Sequence, residues 1–195
     1  WGGFIVRSFQ EANVWQILFL RSFFFIVALI LFLSLTYKNK TIKVIKDSGV
    51  PGILGGFVMS FSFVAFIIAM NNTTVANVVF IISTQTMFLA IFGYFYLKEK
   101  VSLIGSISIF LAMSGIAIMV GDSISSGSLF GNLVALAIPI NFAILVMIIR
   151  KNTNLDMVPA IFYSGIFSLI YGFFLAESFE FTRHDILMGF LLGVP

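Results

Sequence analysis

The sequence contains no cysteine and a single histidine, His184. Disulfides and thiolate metal sites are excluded, and a histidine-based metal centre or catalytic triad has too few members within this chain. Charge is also scarce: 10% of the 195 residues are Asp, Glu, Lys or Arg, against about 25% in a soluble domain. Eleven Lys and Arg stand against eight Asp and Glu, too small an excess for a nucleic-acid surface, and no polar domain exists to carry one. Apolar side chains, by contrast, make up 60% of the chain, with 25 Phe, and the mean hydropathy is +1.12. An ordinary soluble domain is excluded, and a polytopic membrane protein remains.

A helix that crosses a bilayer needs roughly 20 mainly apolar residues. Charge-poor runs of that size occur at about 14–37, 50–70, 74–97, 101–120, 129–149 and 157–176, with a short run at 1–10 before them and another from Ile186. The run from Ile186 to Pro195 rises about 15 Å, half of a core of about 30 Å. Trp1 opens the chain without the basic segment of a secretory signal. The chain is therefore expected to be a fragment truncated at both ends. The longest connections are Lys38–Gly49, Gly121–Ser128 and Glu177–Asp185, and none has room for a soluble domain.

The connections alternate in charge. One set carries Lys38, Lys40, Lys43, Lys46, Lys98, Lys100, Arg150 and Lys151, while the other has Arg183 and, near its first member, Arg7. This asymmetry predicts that the Lys-rich connections are cytoplasmic and that Asn71–Thr73, Gly121–Ser128 and Glu177–Asp185 face outward. A weak internal similarity accompanies it: the glycines of Gly52–Gly56 have the spacing of Gly189–Gly193, each near the start of a span. Five-helix units would then be inverted relative to each other, a common build for secondary transporters.

Polar residues inside the spans are the candidate site. Arg21 lies about eight residues from the outer end of the second span, where a charge costs about 2.5–3.5 kcal/mol on insertion scales. It is either an anion-attracting group near a substrate path, or a snorkelling side chain or ion pair, Glu11 being the nearest acid. The most polar mid-span stretch is Ser83-Thr84-Gln85-Thr86. Asn77 and Thr84 are seven apart and share a helix face, and Gln85 offers two donors and an acceptor. The alternative for all three is hydrogen bonding between helices. Pro139 kinks the next-but-one span and frees the carbonyl of Ala135, with Asn141 two residues on; it marks a gate or a static bend. Tyr163 and Tyr171 each carry a hydroxyl that needs a partner, and Phe57 and Phe61 stand one turn apart. Gly105, Ser108, Ala112 and Gly115 form a small-residue packing stripe, and Glu99 between Lys98 and Lys100 reads as an interfacial anchor. No carboxylate or histidine lies mid-span to activate a nucleophile, so enzymatic function is not expected.

The stretch Trp1-Gly2-Gly3-Phe4-Ile5-Val6-Arg7, and Arg21 with Phe23 and Phe24, resemble the end of the first helix and the second helix of EamA-type transporters of the drug/metabolite transporter superfamily. Ala69, Thr73, Val75, Ala76 and the closing Leu97-Lys98-Glu99-Lys100 resemble its third-to-fourth helix segment. Gly105 and Gly115-Ile116 fit the fifth helix, and 131–150 the start of a second repeat. Thr86 stands where such proteins often carry a proline, which removes the usual cause of a break in the fourth helix.

The expected fold is an all-α transmembrane bundle of inverted five-helix repeats, ten helices in the full protein. Residues 1–121 would form the first repeat, and 127–195 the start of the second. The resemblance implies export of small metabolites across the cytoplasmic membrane by alternating access. Arg21, Asn77, Thr84, Gln85, Asn141 and Tyr163 are expected to line the central cavity. No cofactor or metal is expected. The expected partners are a small-molecule substrate and the lipid bilayer, not nucleic acid, and a homodimer is compatible with this reading. The alternatives are a polytopic scaffold or lipid-modifying enzyme, or a nucleotide-sugar or phosphate-ester transporter, which would need more cations facing the cavity than Arg21 and Arg7 supply.

Overall fold

The computed structural model describes residues 2–126 and 128–194, with the backbone alone for 122–126. Trp1, the first residue of the motif that resembles the family's opening helix, lies outside the described residues, as do Gly127 and Pro195. In chain order the helices are α1 (Gly2–Arg7), α2 (Val14–Tyr37), α3 (Thr41–Asp47), α4 (Gly49–Asn72), α5 (Val75–Ser83), α6 (Gln85–Leu97), α7 (Leu103–Ser126), α8 (Leu129–Lys151), α9 (Pro159–Leu175) and α10 (Arg183–Gly193). A turn of 3-10 helix, Lys38–Lys40, joins α2 to α3. No strand occurs among the described residues.

Among the described residues, six stretches are long and apolar enough to cross a membrane: Val14–Asp47, Gly49–Asn72, Val75–Leu97, Leu103–Gly121, Leu129–Lys151 and Val158–Leu175. The protein is an all-α transmembrane bundle. Apolar side chains surround each of these helices rather than forming one stripe, because one side meets lipid and the other meets neighbouring helices. Phe32, Phe95, Phe110 and Phe174 are accordingly exposed.

The helix α4 is central. It packs most extensively on α8 and α9; α2 lies on α9, α10 on α2, and α5 and α6 on α8. Glycines set these approaches. A side chain at Gly131 would meet the backbone of Asn72 at 2.5 Å, and one at Gly56 the Ala160 carbonyl at 2.7 Å. The two glycine-rich stretches are both contact faces: Gly55 meets Leu145 and Ala160, while Gly189 meets Leu20 and Gly193 the Arg21 carbonyl. The main core gathers Val6, Leu18, Ile67, Met70, Val78 and Ala135 from α1, α2, α4, α5 and α8. It lies toward the end of the bundle where the connections carry few lysines. A smaller cluster, Leu145, Met157 and Ala160, lies toward the Lys-rich end.

Three local features differ from expectation. The connection at Lys38–Gly49 is helical almost throughout, because Lys38 at φ +50° turns the chain and Thr41 Oγ1 donates to the carbonyls of Leu33 and Lys38. The connection at Gly121–Ser128 is helical through Ser126. The fourth span is interrupted at Thr84 although no proline is present. There Ser83 Oγ donates to the Phe80 carbonyl and Thr84 Oγ1 to the Ile81 carbonyl, each at 2.6 Å. Such back-bonding from side chain to helix carbonyl bends a helix without proline.

Candidate functional site

The interruption at Thr84 and the proline at 139 divide the polar residues of the bundle into three groups. The first lies at the Lys-poor end. Thr73, buried just past α4, donates from Oγ1 to Asn132 Oδ1 at 2.6 Å and accepts from Asn77 Nδ2 at 3.1 Å. Arg7 donates from Nη2 to the Thr73 carbonyl. Asn132 is fully buried on α8. This network ties α1, α4, α5 and α8 together at one point. Nearby, Gln16 Nε2 donates to the carbonyl and hydroxyl of Ser178, and Asp185 Oδ1 accepts from the Gln10 backbone N–H. His184 Nε2 lies 2.8 Å from the Ser8 carbonyl, an oxygen that only accepts, so Nε2 carries the hydrogen of that bond. The α1–α2 and α9–α10 connections are thereby joined.

The second group lies at mid-depth. Gln85 opens α6 just after the interruption, and Asn141 follows Pro139 by two residues on α8. Both are half-buried, and neither side chain has a hydrogen-bond partner among the described residues. Gln85 is seven residues before Phe92 and shares its helix face; Asn141 shares the face of Ile144 and Ile148. Phe92, Ile144 and Ile148 line one cleft between α6 and α8, of about 290 Å³, with Tyr96 and Lys151 at its Lys-rich mouth. Gln85 and Asn141 therefore share helix faces with residues of this cleft, without lining it. Thr84 belongs to a different space. It lines a cleft of about 560 Å³ between α5, α6 and α7, opposite Gly105, Ser108, Ala112 and Gly115. The small-residue stripe thus borders open volume along most of its length and closes only where Phe80 reaches Gly115.

Arg21 forms the third group, on α2 facing α4. Its Cζ lies 3.9 Å from the centre of the Phe63 ring and 5.7 Å from that of Phe25, and Nη1 is buried without a partner. The ion pair with Glu11 does not form; the one salt bridge among the described residues joins Arg150 to Glu99 at 2.7 Å. A desolvated cation–π contact contributes about 2 kcal/mol, which offsets much of the roughly 2.5–3.5 kcal/mol insertion cost but leaves Nη1 without an acceptor.

Of the six residues expected to line one cavity, Gln85 on α6 and Asn141 on α8 share helix faces with residues that line one cleft, but neither lines it. Thr84 lies across α6 from them, Arg21 lies beside α4, and Asn77 is held at the Lys-poor end. Tyr163 donates from its hydroxyl to the Ile45 carbonyl of α3 at 3.1 Å, near the Lys-rich end. Tyr171 lies 3.5 Å from Ser60 Oγ, and Phe57 and Phe61 are exposed on α4. Sequence reasoning missed Asn132, whereas Glu99, read as an interfacial anchor and loop ion pair, pairs with Arg150. Asn132 stands four residues into α8, where a polar residue reads as a helix end. Glu99 folds back beneath α6, its N–H donating to the Gly93 carbonyl, and its carboxylate receives both bonds from Arg150 Nη1. Gly93 makes room for it, since a side chain there would meet Glu99 Oε2 at 2.7 Å.

No curated protein and no solved structure matches the chain. A family model does, that of the EamA-like transporter family, over residues 2–121. That stretch covers more than half of the sequence and holds Arg21, the Thr84 interruption and the Gly93–Glu99 turn. With its apolar spanning helices and its match to that family, the chain belongs to the EamA-like transporters of the drug/metabolite transporter superfamily.

Proposed function

We propose that this protein moves small organic solutes across the cytoplasmic membrane, outward, by alternating access around a cavity bordered by α6 and α8. The observation that carries this reading is the pair Gln85 and Asn141, polar side chains at mid-depth with no hydrogen-bond partner among the described residues. A polar group at that depth is costly unless it meets a partner, water or substrate. The interruption beside Gln85 and the proline beside Asn141 give each helix a bending point at the same level. Alternating access needs such points, because packed helices shift between discrete arrangements rather than deform evenly.

In this reading residues 1–121 form one five-helix unit and 127–195 the start of an inverted second one, with the Lys-rich connections in the cytoplasm. Arg21, with an unsatisfied Nη1 on an aromatic shelf, favours solutes that carry a carboxylate and an apolar body. Phosphate esters fit less well, because Arg7 is committed to the Thr73 carbonyl and leaves Arg21 the only buried cation with a free donor among the described residues.

The test is efflux from right-side-out vesicles loaded with a panel of radiolabelled amino and organic acids. Expected is faster release of at least one of them than from vesicles without the protein, with the Arg21→Gln variant slower than wild type. Release no faster than the control for every solute, from protein shown to be folded, would overturn the reading.

A further inference from the structure

The junction of α2 and α3 is the most basic part of the molecule. Lys38, Lys40, Lys43 and Lys46 fall within nine residues, all exposed, and none is in a salt bridge among the described residues. Asp47 is the only acid in the segment. The nearest other carboxylate, Asp156, accepts from the Tyr37 hydroxyl and the Val158 N–H. Beneath these lysines the turn at Lys38 opens a groove of about 420 Å³ between α2 and α3. Ile30 and Leu33 form one wall, Ile42 and Ile45 the other, and Lys38 and Asn39 the mouth. Apolar surface continues outward from it, with Leu35 78% and Ile42 71% exposed.

The geometry points to a binding site for an anionic glycerophospholipid, its acyl chain in this groove and its phosphate among Lys38, Lys40 and the lysines of α3. Depth selects the ligand. Ile30 lies seven residues below Tyr37, about 10 Å into the apolar layer, where a soluble peptide or nucleic acid does not reach and a lipid chain already lies. Charge selects the headgroup. A juxtamembrane lysine near an anionic surface strengthens attachment by about fivefold, and the four lysines, none in a salt bridge among the described residues, outnumber the carboxylates Asp47 and Asp156 at this junction. Loop solubility or orientation alone explains the lysines but not the apolar groove that opens under them. The proposal holds whether or not the transported solute is the one proposed above.

The experiment takes the protein from vesicles of equal phosphatidylglycerol and phosphatidylcholine into mild detergent and measures retained lipid by native mass spectrometry. Expected is retention of phosphatidylglycerol well above phosphatidylcholine. The Lys38→Gln variant should lower that preference about fivefold, Lys38→Arg should keep it, and Lys100→Gln, which removes the same charge at the same end away from the groove, should leave it unchanged. The quadruple change of Lys38, Lys40, Lys43 and Lys46 to Gln should abolish it; if that variant does not accumulate, the single variants decide. Ser34→Phe, which fills the groove, should reduce retention of both lipids. Equal retention of the two lipids by the wild type, or equal losses from Lys38→Gln and Lys100→Gln, would overturn the site.

Discussion

At the Lys-poor end, Thr73, Asn132 and Asn77 hydrogen-bond to one another, whereas deeper in the membrane Gln85 and Asn141 meet no hydrogen-bond partner among the described residues. Both sets rely on side-chain amides and both draw one from α8, so the difference is one of place. The first set lies beside the main hydrophobic core, where Gly131 brings α8 onto the end of α4 and leaves no room for water. The second lies beside the interruption at Thr84 and beside Pro139, on helices that also border clefts. Buried amides with protein partners fix a structure, while partly open amides without them are available to a ligand. In the proposed reading the Lys-poor layer is structural and the middle layer meets the solute.

The comparison breaks most severely at Gly131. Gly131→Val forces a side chain into the backbone of Asn72, and overpacking of that kind should cost about 3 kcal/mol. Purified protein should aggregate or unfold well below the wild-type temperature in a thermal-shift measurement. Asn132→Leu removes the acceptor of a fully buried bond and leaves the Thr73 hydroxyl hydrogen without its partner, while Asn77 still donates to Oγ1. It should destabilise by about 1–3 kcal/mol, read as a lower Tm, while solute affinity in the surviving fraction stays near wild type.

In the middle layer the pattern should invert. Arg21→Gln should lose most transport at normal membrane levels, and Arg21→Lys should keep part of it, because the charge remains while the planar stack on Phe63 is lost. Normal transport by both variants would make Arg21 an anchor only. Gln85→Leu and Asn141→Leu should each weaken solute binding by roughly 5- to 150-fold, about 1–3 kcal/mol, with thermal stability unchanged or slightly raised. The smallest effect is expected at the Lys-rich end. Glu99 and Arg150 are each about half exposed, at 50% and 43%, so Glu99→Gln should cost at most about 1 kcal/mol, and less at high salt.

Much of this architecture is legible in the sequence, since an apolar run of about 20 residues has few other uses. The six spanning stretches agree with the sequence reading to within a few residues, except where lysines were taken to mark a loop and the chain instead continues as helix through α3. The interruption at Thr84 was hidden for a physical reason. Proline is the familiar cause of a break, but two hydroxyls bonding back to their own helix also interrupt it. The site was legible only as a set of residue types. Periodicity placed Asn77 and Thr84 on one face, yet it carried no information on which neighbour each would meet. Asn77 finds Thr73 four residues back, at the turn between α4 and α5, and Tyr163 finds Ile45, 118 residues away on α3, a pairing made by helix packing. Arg21 was recognisable as costly, but its aromatic shelf comes from Phe63, 42 residues away on α4.

The account rests on water reaching Gln85 and Asn141 but not Asn132, and the absence of cysteine from the chain makes that directly measurable. Single cysteines placed at 85, 141 and 132 would be exposed to a small water-soluble thiol reagent in membranes, with and without a transported solute. The account predicts labelling at 85 and 141, slowed by solute, and none at 132. Labelling at 132, or a failure of both 85 and 141 to label under any condition, would contradict it.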